Sequence, residues 1–369
     1  MSGFWTGRKV LITGHTGFKG AWLSLWLHKL GAEVAGYSLP APTVPSLYRA
    51  AGMGELVSRI GGDVRHLPKL CKAVEDFKPQ MVFHLAAQPI VSVGREAPVA
   101  TFETNVMGTV NVLEAVRLGP QCPVVVVTSD KCYESNETKR AHIEPDRMGG
   151  RDPYSSSKGC AELAVSAYRQ SYGMRVASAR AGNVIGGGDW GKGRIVPDML
   201  RCSTEGQPCV LRSPKAVRPW QHVLSALHGY LLLAERLSAD AAFAGGWNFG
   251  PQESKSVAWL AEKFVEVWGS GSVQANDSLE DSYLSLDSAK AVSMLCWRSP
   301  WGIENSLENT ISWHKAYRMG ANMRQFSLLQ IKEYEDGYDQ RVVPTRSDIP
   351  SAGHFGGSEK DARAEMERA

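Results

Sequence analysis

Over the first 180 residues, short apolar runs alternate with stretches whose apolar residues recur every three or four positions. Lys9–Thr13, Glu33–Tyr37, Gln80–Leu85, Pro123–Thr128 and Arg175–Arg180 read as strands. Phe18–Leu30, Leu67–Phe77, Val99–Leu118 and Pro153–Tyr172 read as helices. Val124–Val127 is apolar at every position, so that strand must be covered on both faces, as in a parallel sheet. The alternation predicts an α/β fold with a doubly wound parallel (Rossmann) sheet. After Gly182 the rhythm changes. Gly186–Gly188 and Gly191–Gly193 read as loop, a long helix follows His222, and another begins near Ser256 with Val257, Leu260, Ala261, Phe264 and Trp268 at helical spacing. The scattered tryptophans here suit core packing better than base stacking. Residues 1–182 are thus expected to form the Rossmann domain, rejoined by about 217–247. A smaller α/β substrate-binding domain is expected from 183–216 and 248–335. From 341 to 369 the chain is polar and aperiodic, which predicts a disordered tail.

Composition narrows the class. The 41 Lys and Arg nearly balance 38 Asp and Glu, so a polyanion such as nucleic acid is not the expected partner. Seven cysteines, an odd number without a C-x-x-C pair, suit a reduced, cytoplasmic protein. No apolar run approaches a membrane span, and a strand reached by Lys9 leaves no room for a cleavable signal. The nine histidines form no H-E-x-x-H or comparable ligand set, and no metal is expected.

Two motifs carry chemistry. Gly14-His15-Thr16-Gly17-Phe18-Lys19-Gly20 follows the first strand and opens the first helix. The string alone is weak. In this place, glycine makes the turn, lets backbone approach a pyrophosphate, and packs the helix close to the sheet, while the helix N-terminus offers unpaired N–H groups. About 20 residues on, an NAD site usually presents Asp or Glu at the end of the second strand. This chain has Gly36-Tyr37-Ser38, with neither a carboxylate nor an arginine immediately after, Arg49 being the nearest downstream. The signal that separates NAD from NADP is missing. Asp63, after Gly61-Gly62, is a candidate for the adenine edge and equally for a turn residue.

The second motif lies further on. Among 11 tyrosines only Tyr154 has a lysine four residues on, at Lys158, inside a helix that Asp152-Pro153 should start. That spacing puts both on one face. A tyrosine removes an alcohol proton only if its own proton leaves easily, and a nearby ammonium favours the phenolate. Ser129-Asp130-Lys131 ends the most apolar strand, where ligands of open α/β sheets bind. A solvated, salt-bridged strand end is the bland alternative.

Gly14 to Gly20, His84-Leu85-Ala86-Ala87-Gln88, Asn105, Tyr154 with Lys158, and Arg180-Ala181-Gly182-Asn183 resemble the extended short-chain dehydrogenase/reductase family of nucleotide-sugar enzymes. TSDKCY, DPYSSSKGCAE, RAGNVIGGGDW, RIVPD and RPWQHV narrow the resemblance to its 4,6-dehydratases that act on CDP-glucose, over roughly residues 5–335. Lys19 and the pair Asp130-Lys131 are the most telling. The segment Glu134–Arg147 and the tail carry no such motif. The resemblance implies NAD held by Gly14, Thr16, Gly17, Phe18, Lys19, Gly20, Ser38, Asp63, Val64, Leu85, Ala86, Ala87, Gln88, Asn105, Tyr154 and Lys158. It implies CDP-glucose held by Gln88, Ser129, Asn183, Arg194 and Arg218. By the same likeness Tyr154 takes the proton from the hydroxyl on carbon 4, Ser129 holds that oxygen, Asp130 is the acid and Lys131 the base of a dehydration across carbons 5 and 6. It also implies a homodimer or homotetramer paired through Val99–Leu118 and Pro153–Tyr172, where Ala161, Ala164 and Ala167 would permit close approach. Other readings are a nucleotide-sugar 4-epimerase, which needs no acid–base pair at 130 and 131, and an inverting UDP-N-acetylhexosamine dehydratase. A non-catalytic dinucleotide sensor is a fourth, and the intact Tyr–Lys pair argues against it.

Overall fold

Seven strands form one wholly parallel sheet: β1 (Lys9–Thr13), β2 (Glu33–Ser38), β3 (Ser58–Gly61), β4 (Met81–His84), β5 (Val124–Val127), β6 (Val176–Ala181) and β7 (Gly245–Phe249), in the order β7-β6-β5-β4-β1-β2-β3. This computed structural model describes residues 3–135, 139–275 and 283–341. Five strands stand where the apolar runs predict them. The other two were not legible. β3 is a short edge strand that is mostly exposed, so it lacks the apolar signature, and β7 begins with two glycines. Residues 342–369, the expected tail, lie outside the described residues.

Successive strand residues feed opposite layers, as the pleat requires. Val10, Ile12, Val125 and Val127 pack with Trp22 and Trp26 of the Phe18–Lys29 helix and Leu227 and Leu231 of the Val223–Ala239 helix. Leu11, Val124 and Val126 pack on the other face with Leu70, Val74, Leu113, Val116 and Val165. All four valines of β5 are buried, so the two-sided cover holds. The chain order reverses between β1 and β4, which opens the ligand cleft at their carboxyl ends.

The stretch expected as one helix from Val99 to Leu118 is three pieces: Pro98–Phe102, a π-helical turn Glu103–Met107, and Gly108–Leu118. The wide turn carries Asn105, whose side chain and carbonyl both have partners outside the ordinary helix ladder, and such turns mark functional positions. A second core gathers Ile185, Met199, Leu200, Phe264, Trp268, Leu307 and Ile311 beyond the cleft. Trp247, Trp268, Trp297 and Trp313 are all buried, which agrees with core packing. The final helix, Met323–Arg341, returns to the first, where Trp26 Nε1 and Lys29 Nζ both donate to the Glu335 carboxylate. Val99, Phe102, Met107 and Leu163 are exposed on the outer helices. Ala161 is buried within its own subunit, which leaves its side chain no surface to offer a partner. Ala164 and Ala167 remain on the outer side.

Candidate active site

The cofactor end is shaped by backbone. Gly14 has φ +77°, and a Cβ there would come within 2.6 Å of the Ala86 nitrogen. A Cβ on Gly20 would fall 2.2 Å from the Gly14 carbonyl oxygen. Gly17 stands at the helix N-cap without a side-chain cap, leaving first-turn N–H groups directed to the cleft. Thr16 donates to the Leu39 carbonyl at 3.0 Å and shares a hydrogen bond with Ser38. Leu85 N–H donates to the Thr13 carbonyl, and Ala86 N–H to the Thr13 hydroxyl. Val64 packs against Gly108, and its carbonyl accepts from Asn111. These residues make a cradle that fits a dinucleotide.

His15 went unremarked in the sequence, yet it decides the corner. Its ring fills the room above Gly36, where a Cβ would lie 2.1 Å from the ring, and its Nδ1 hydrogen-bonds Ser38 at 2.9 Å. Burial, helped by Arg59, pushes His15 down to about 4, so it is neutral. A carboxylate at Gly36 is sterically excluded. The only available signal was a bulky residue inside a glycine loop opposite a glycine strand end. Asp63 satisfies the turn reading: its carboxylate accepts from Arg65 N–H and guanidinium, and those bonds hold it below its ordinary value. It also lines a pocket of about 450 Å³ with Ser38.

Gln88 and Asn105 act first on each other. Asn105 Oδ1 accepts from Gln88 N–H at 2.8 Å, while its Nδ2 donates to the Gln88 carbonyl and to Ser157 Oγ. Ser157 in turn donates to the Tyr154 carbonyl. The Gln88 amide is taken by Thr101 and Ile90 N–H. Asn105 therefore ties the β4 loop to the helix bearing Tyr154.

The reacting end is shaped by side chains. Asp152 caps the Pro153–Tyr172 helix through Ser155 N–H, as its sequence predicts. Ser129 Oγ donates to Asp130 Oδ1 at 2.9 Å and lies near enough to the Tyr154 phenol to favour its ionised form. Asp130 is buried, and its Oδ2 has no hydrogen-bond partner. Lys131, half-buried, donates its backbone N–H to Ser129 Oγ. Lys158 Nζ donates to the Val127 carbonyl at 3.3 Å. Burial pushes the Tyr154 phenol up to about 12, against the nearby Ser129 hydroxyl, so the protein groups alone do not favour the phenolate that the spacing suggested. Burial likewise pushes Lys158 down to about 8, while Cys132 and Glu162 oppose it. Lys19 reaches the middle of the cleft, where burial and then Arg194 and Lys158 push it down to about 7, against Asp130 and Asp189.

Behind this group lies a buried pair that sequence reading missed. Glu162 accepts from Arg180 Nη2 at 2.7 Å, Ser178 Oγ at 2.6 Å and Thr128 Oγ1. Arg180 and these hydrogen bonds outweigh burial and hold the carboxyl below its ordinary value. Arg180 Nη1 also donates to the Tyr133 hydroxyl and the Glu144 carbonyl. Glu162 follows Lys158 by one helical turn, a spacing the sequence contained but without a sign of its arginine.

Across the cleft, Arg194 pairs with Asp189 at 2.8 Å, the Asn183 carbonyl accepts from Gln221 N–H, and Arg218 Nη1 donates to the Val217 carbonyl. Asp130 acts electrostatically on Arg218, so that arginine faces the reacting end. His222 is buried near Trp22 and Trp301. Among the described residues no group of three His, Cys, Asp or Glu stands ready for a metal.

Residues 10–244 match the NAD dependent epimerase/dehydratase family. The chain is 47% identical over 348 residues to a CDP-glucose 4,6-dehydratase of Salmonella typhimurium, covering 90% of this chain and 97% of the relative. The Thermus thermophilus UDP-glucose 4-epimerase, solved in complex with NAD, superposes with a TM-score of 0.74 at 26% identity, over 84% of this chain and 99% of that one. A dTDP-glucose 4,6-dehydratase of Bacillus anthracis, at 20% identity and a TM-score of 0.74 over 86% of this chain and 100% of that one, shares the fold.

Proposed function

From the premise that this chain belongs to the NAD dependent epimerase/dehydratase family, we propose that it converts CDP-D-glucose to CDP-4-dehydro-6-deoxy-D-glucose, an NAD-dependent lyase reaction. The observation that carries the reading is the meeting of Ser129, Asp130 and Tyr154 at the carboxyl end of β5, beside Lys158. NAD+, which the Gly14–Gly20 turn and Lys158 would hold, would supply a hydride acceptor for carbon 4 and donor for carbon 6, and positive charge beside the phenol.

Tyr154 removes the proton of the carbon 4 hydroxyl, and Ser129 orients that oxygen. The new carbonyl acidifies carbon 5. Lys131 takes the carbon 5 proton, Asp130 protonates the carbon 6 hydroxyl, and that oxygen leaves as water. With carbon 6 reduced, Lys131 returns its proton to carbon 5, and the proton held by Tyr154 passes to Asp130, which resets both groups and closes the balance. The buried Oδ2 of Asp130, which has no hydrogen-bond partner within the protein, supports the role by leaving that oxygen open to the carbon 6 hydroxyl. Arg194 and Arg218 suit the diphosphate, guanidinium being a bidentate phosphate donor, and the Asn183 carbonyl accepts from Gln221 N–H, three residues beyond Arg218. The second core, in 183–216 and 248–335, supports a separate substrate-binding unit.

Incubation with CDP-, UDP- and dTDP-glucose, followed by mass detection, tests the reading. Loss of one water from the cytidine nucleotide alone is expected. A change of hydroxyl configuration without loss of water would make the chain a 4-epimerase, and dehydration of a UDP-N-acetylhexosamine alone, with inversion at carbon 5, the other kind of dehydratase. The exposed face with Val99, Phe102, Met107 and Leu163 supports a homodimer. A strictly monomeric mass in light scattering at micromolar concentration would remove that assignment. The free state of all seven cysteines supports a reducing, cytoplasmic setting, and no described helix is long and apolar enough to cross a membrane.

A further inference from the structure

The end of β2 leaves a question that its neighbour across the sheet answers. Gly36-Tyr37-Ser38 offers no carboxylate to hold ribose hydroxyls or to repel a phosphate attached to them. The Ser38 hydroxyl is already engaged by Thr16 and His15. In the parallel register Gly36 stands opposite Arg59 of β3. Side chains of paired residues project from the same face of a sheet. Gly36 supplies no side chain there, and Arg59 lies close enough to His15 to disfavour its protonation.

The pocket at this corner, about 450 Å³, is lined by Arg59, Lys69, His66 and Asp63 together with Ser38. Its charges are unbalanced. Asp63, the one carboxylate of that lining, is already matched by Arg65, whose Nη2 stands 2.7 Å from Oδ2 and whose Nε bonds both oxygens. Arg59 and Lys69 form no ion pair among the described residues. An exposed guanidinium and an ammonium thus rim a cavity whose only acid is spoken for. Such a corner attracts a further anion, and a guanidinium fork suits phosphate oxygens.

We propose that this corner accepts a phosphate on the 2′-oxygen of the cofactor's adenosine ribose, so that the chain binds NADP+ as well as NAD+, with Arg59 as the recognising residue and Lys69 assisting. The inference rests on the dinucleotide reading of the cleft. Arginine looked for immediately after β2 is absent because the cation arrives from the next strand, 21 residues beyond Ser38 in sequence and one strand away in space.

The test uses the full chain, freed of bound dinucleotide and titrated separately with NAD+ and NADP+ by calorimetry. NADP+ affinity within about tenfold of that for NAD+ is expected, because one charge-assisted phosphate contact is worth about a tenfold change. NADP+ binding should also weaken more steeply with added salt. Arg59→Ala should cost NADP+ about tenfold while leaving NAD+ within about threefold, and Arg59→Lys should recover part of the loss. NADP+ weaker than NAD+ by more than about tenfold in the unaltered chain would overturn the proposal, as would an Arg59→Ala loss shared equally by both dinucleotides. Failure of both to bind would overturn it together with the dinucleotide reading itself, whereas tight NAD+ alone would leave that reading standing.

Discussion

At the cofactor end of the cleft the chain makes room by leaving side chains out, whereas at the reacting end it fills the space with polar side chains that hydrogen-bond one another and leave an oxygen of Asp130 open. Gly14 and Gly20 bring two backbone segments closer than any Cβ would allow, and the phosphate-facing groups are main-chain N–H donors. Glu162, Arg180, Thr128, Ser178 and Tyr133, by contrast, form a connected side-chain network at β5 and β6, behind Ser129, Asp130 and Tyr154. The difference follows from the task. Binding a pyrophosphate needs donors at fixed spacing, which backbone supplies without side-chain entropy. Proton transfer needs groups of chosen protonation state, and only side chains have one to choose.

The contrast breaks most visibly at the acid–base groups. The double variant Asp130→Asn with Lys131→Met should lower dehydration by at least about 10²–10⁴-fold, the usual worth of one such group. CDP-glucose should still partly reduce bound cofactor in it, seen as slow growth of absorbance without loss of water. Tyr154→Phe should cost turnover a similar about 10²–10⁴-fold but stop earlier, with no cofactor reduction and nearly unchanged nucleotide-sugar binding. Dehydration at near the parent rate in the double variant would return Ser129-Asp130-Lys131 to an ordinary strand end.

The supporting network is the next place to press. Glu162→Gln leaves Arg180 buried without its carboxylate, and loss of one partner of such a pair costs about 3–5 kcal/mol, read as a lower urea midpoint. It also has a signature in pH. Lys158 is held down to about 8 by burial and upward by Glu162, so a reaction needing its ammonium loses rate as pH rises through about 8. Without the carboxylate the ammonium is less favoured, and that alkaline limb should move to lower pH. A fall in stability with an unmoved limb would make Glu162 structural only. For stability the sign is opposite: because the folded value lies below the ordinary 10.5, the lysine penalises the native state below about 8, and this penalty fades as pH rises from about 8 to 10.5.

The smallest effect is expected where backbone shape is disturbed without chemistry. Gly20→Ala places a Cβ 2.2 Å from the Gly14 oxygen, and overpacking of this kind costs about 1–3 kcal/mol. Thermal unfolding should fall accordingly, with dinucleotide affinity reduced and the pH limb of the remaining activity unchanged. Parent-like affinity and stability would show that this end tolerates side chains after all.

How much was legible depended on whether a residue's partner was near in sequence. The strand–helix alternation, the glycine turn, the Asp152 cap and the Tyr154–Lys158 face are local patterns, set by periods of two and 3.6 residues, and they stand where the sequence puts them. β3 escaped because an exposed edge strand needs no apolar alternation, and β7 because its glycines weaken the strand pattern. The break at Glu103–Met107 escaped because a π turn continues the run of helical residues and differs from its neighbours only in its i→i+5 bonding.

By itself, then, the chain determined five strands of its sheet, its glycine turn, and which residues could carry proton chemistry, since these follow from side-chain periodicity and backbone sterics within a few residues. Folding decided the rest. His15 over Gly36, Arg59 across from that same glycine, Arg180 against Glu162, and Asp130 buried with a free oxygen all join residues far apart in sequence. Their protonation and reach depend on desolvation and on distances of a few ångströms. No local pattern encodes those, because they exist only once the sheet register brings the strand ends together.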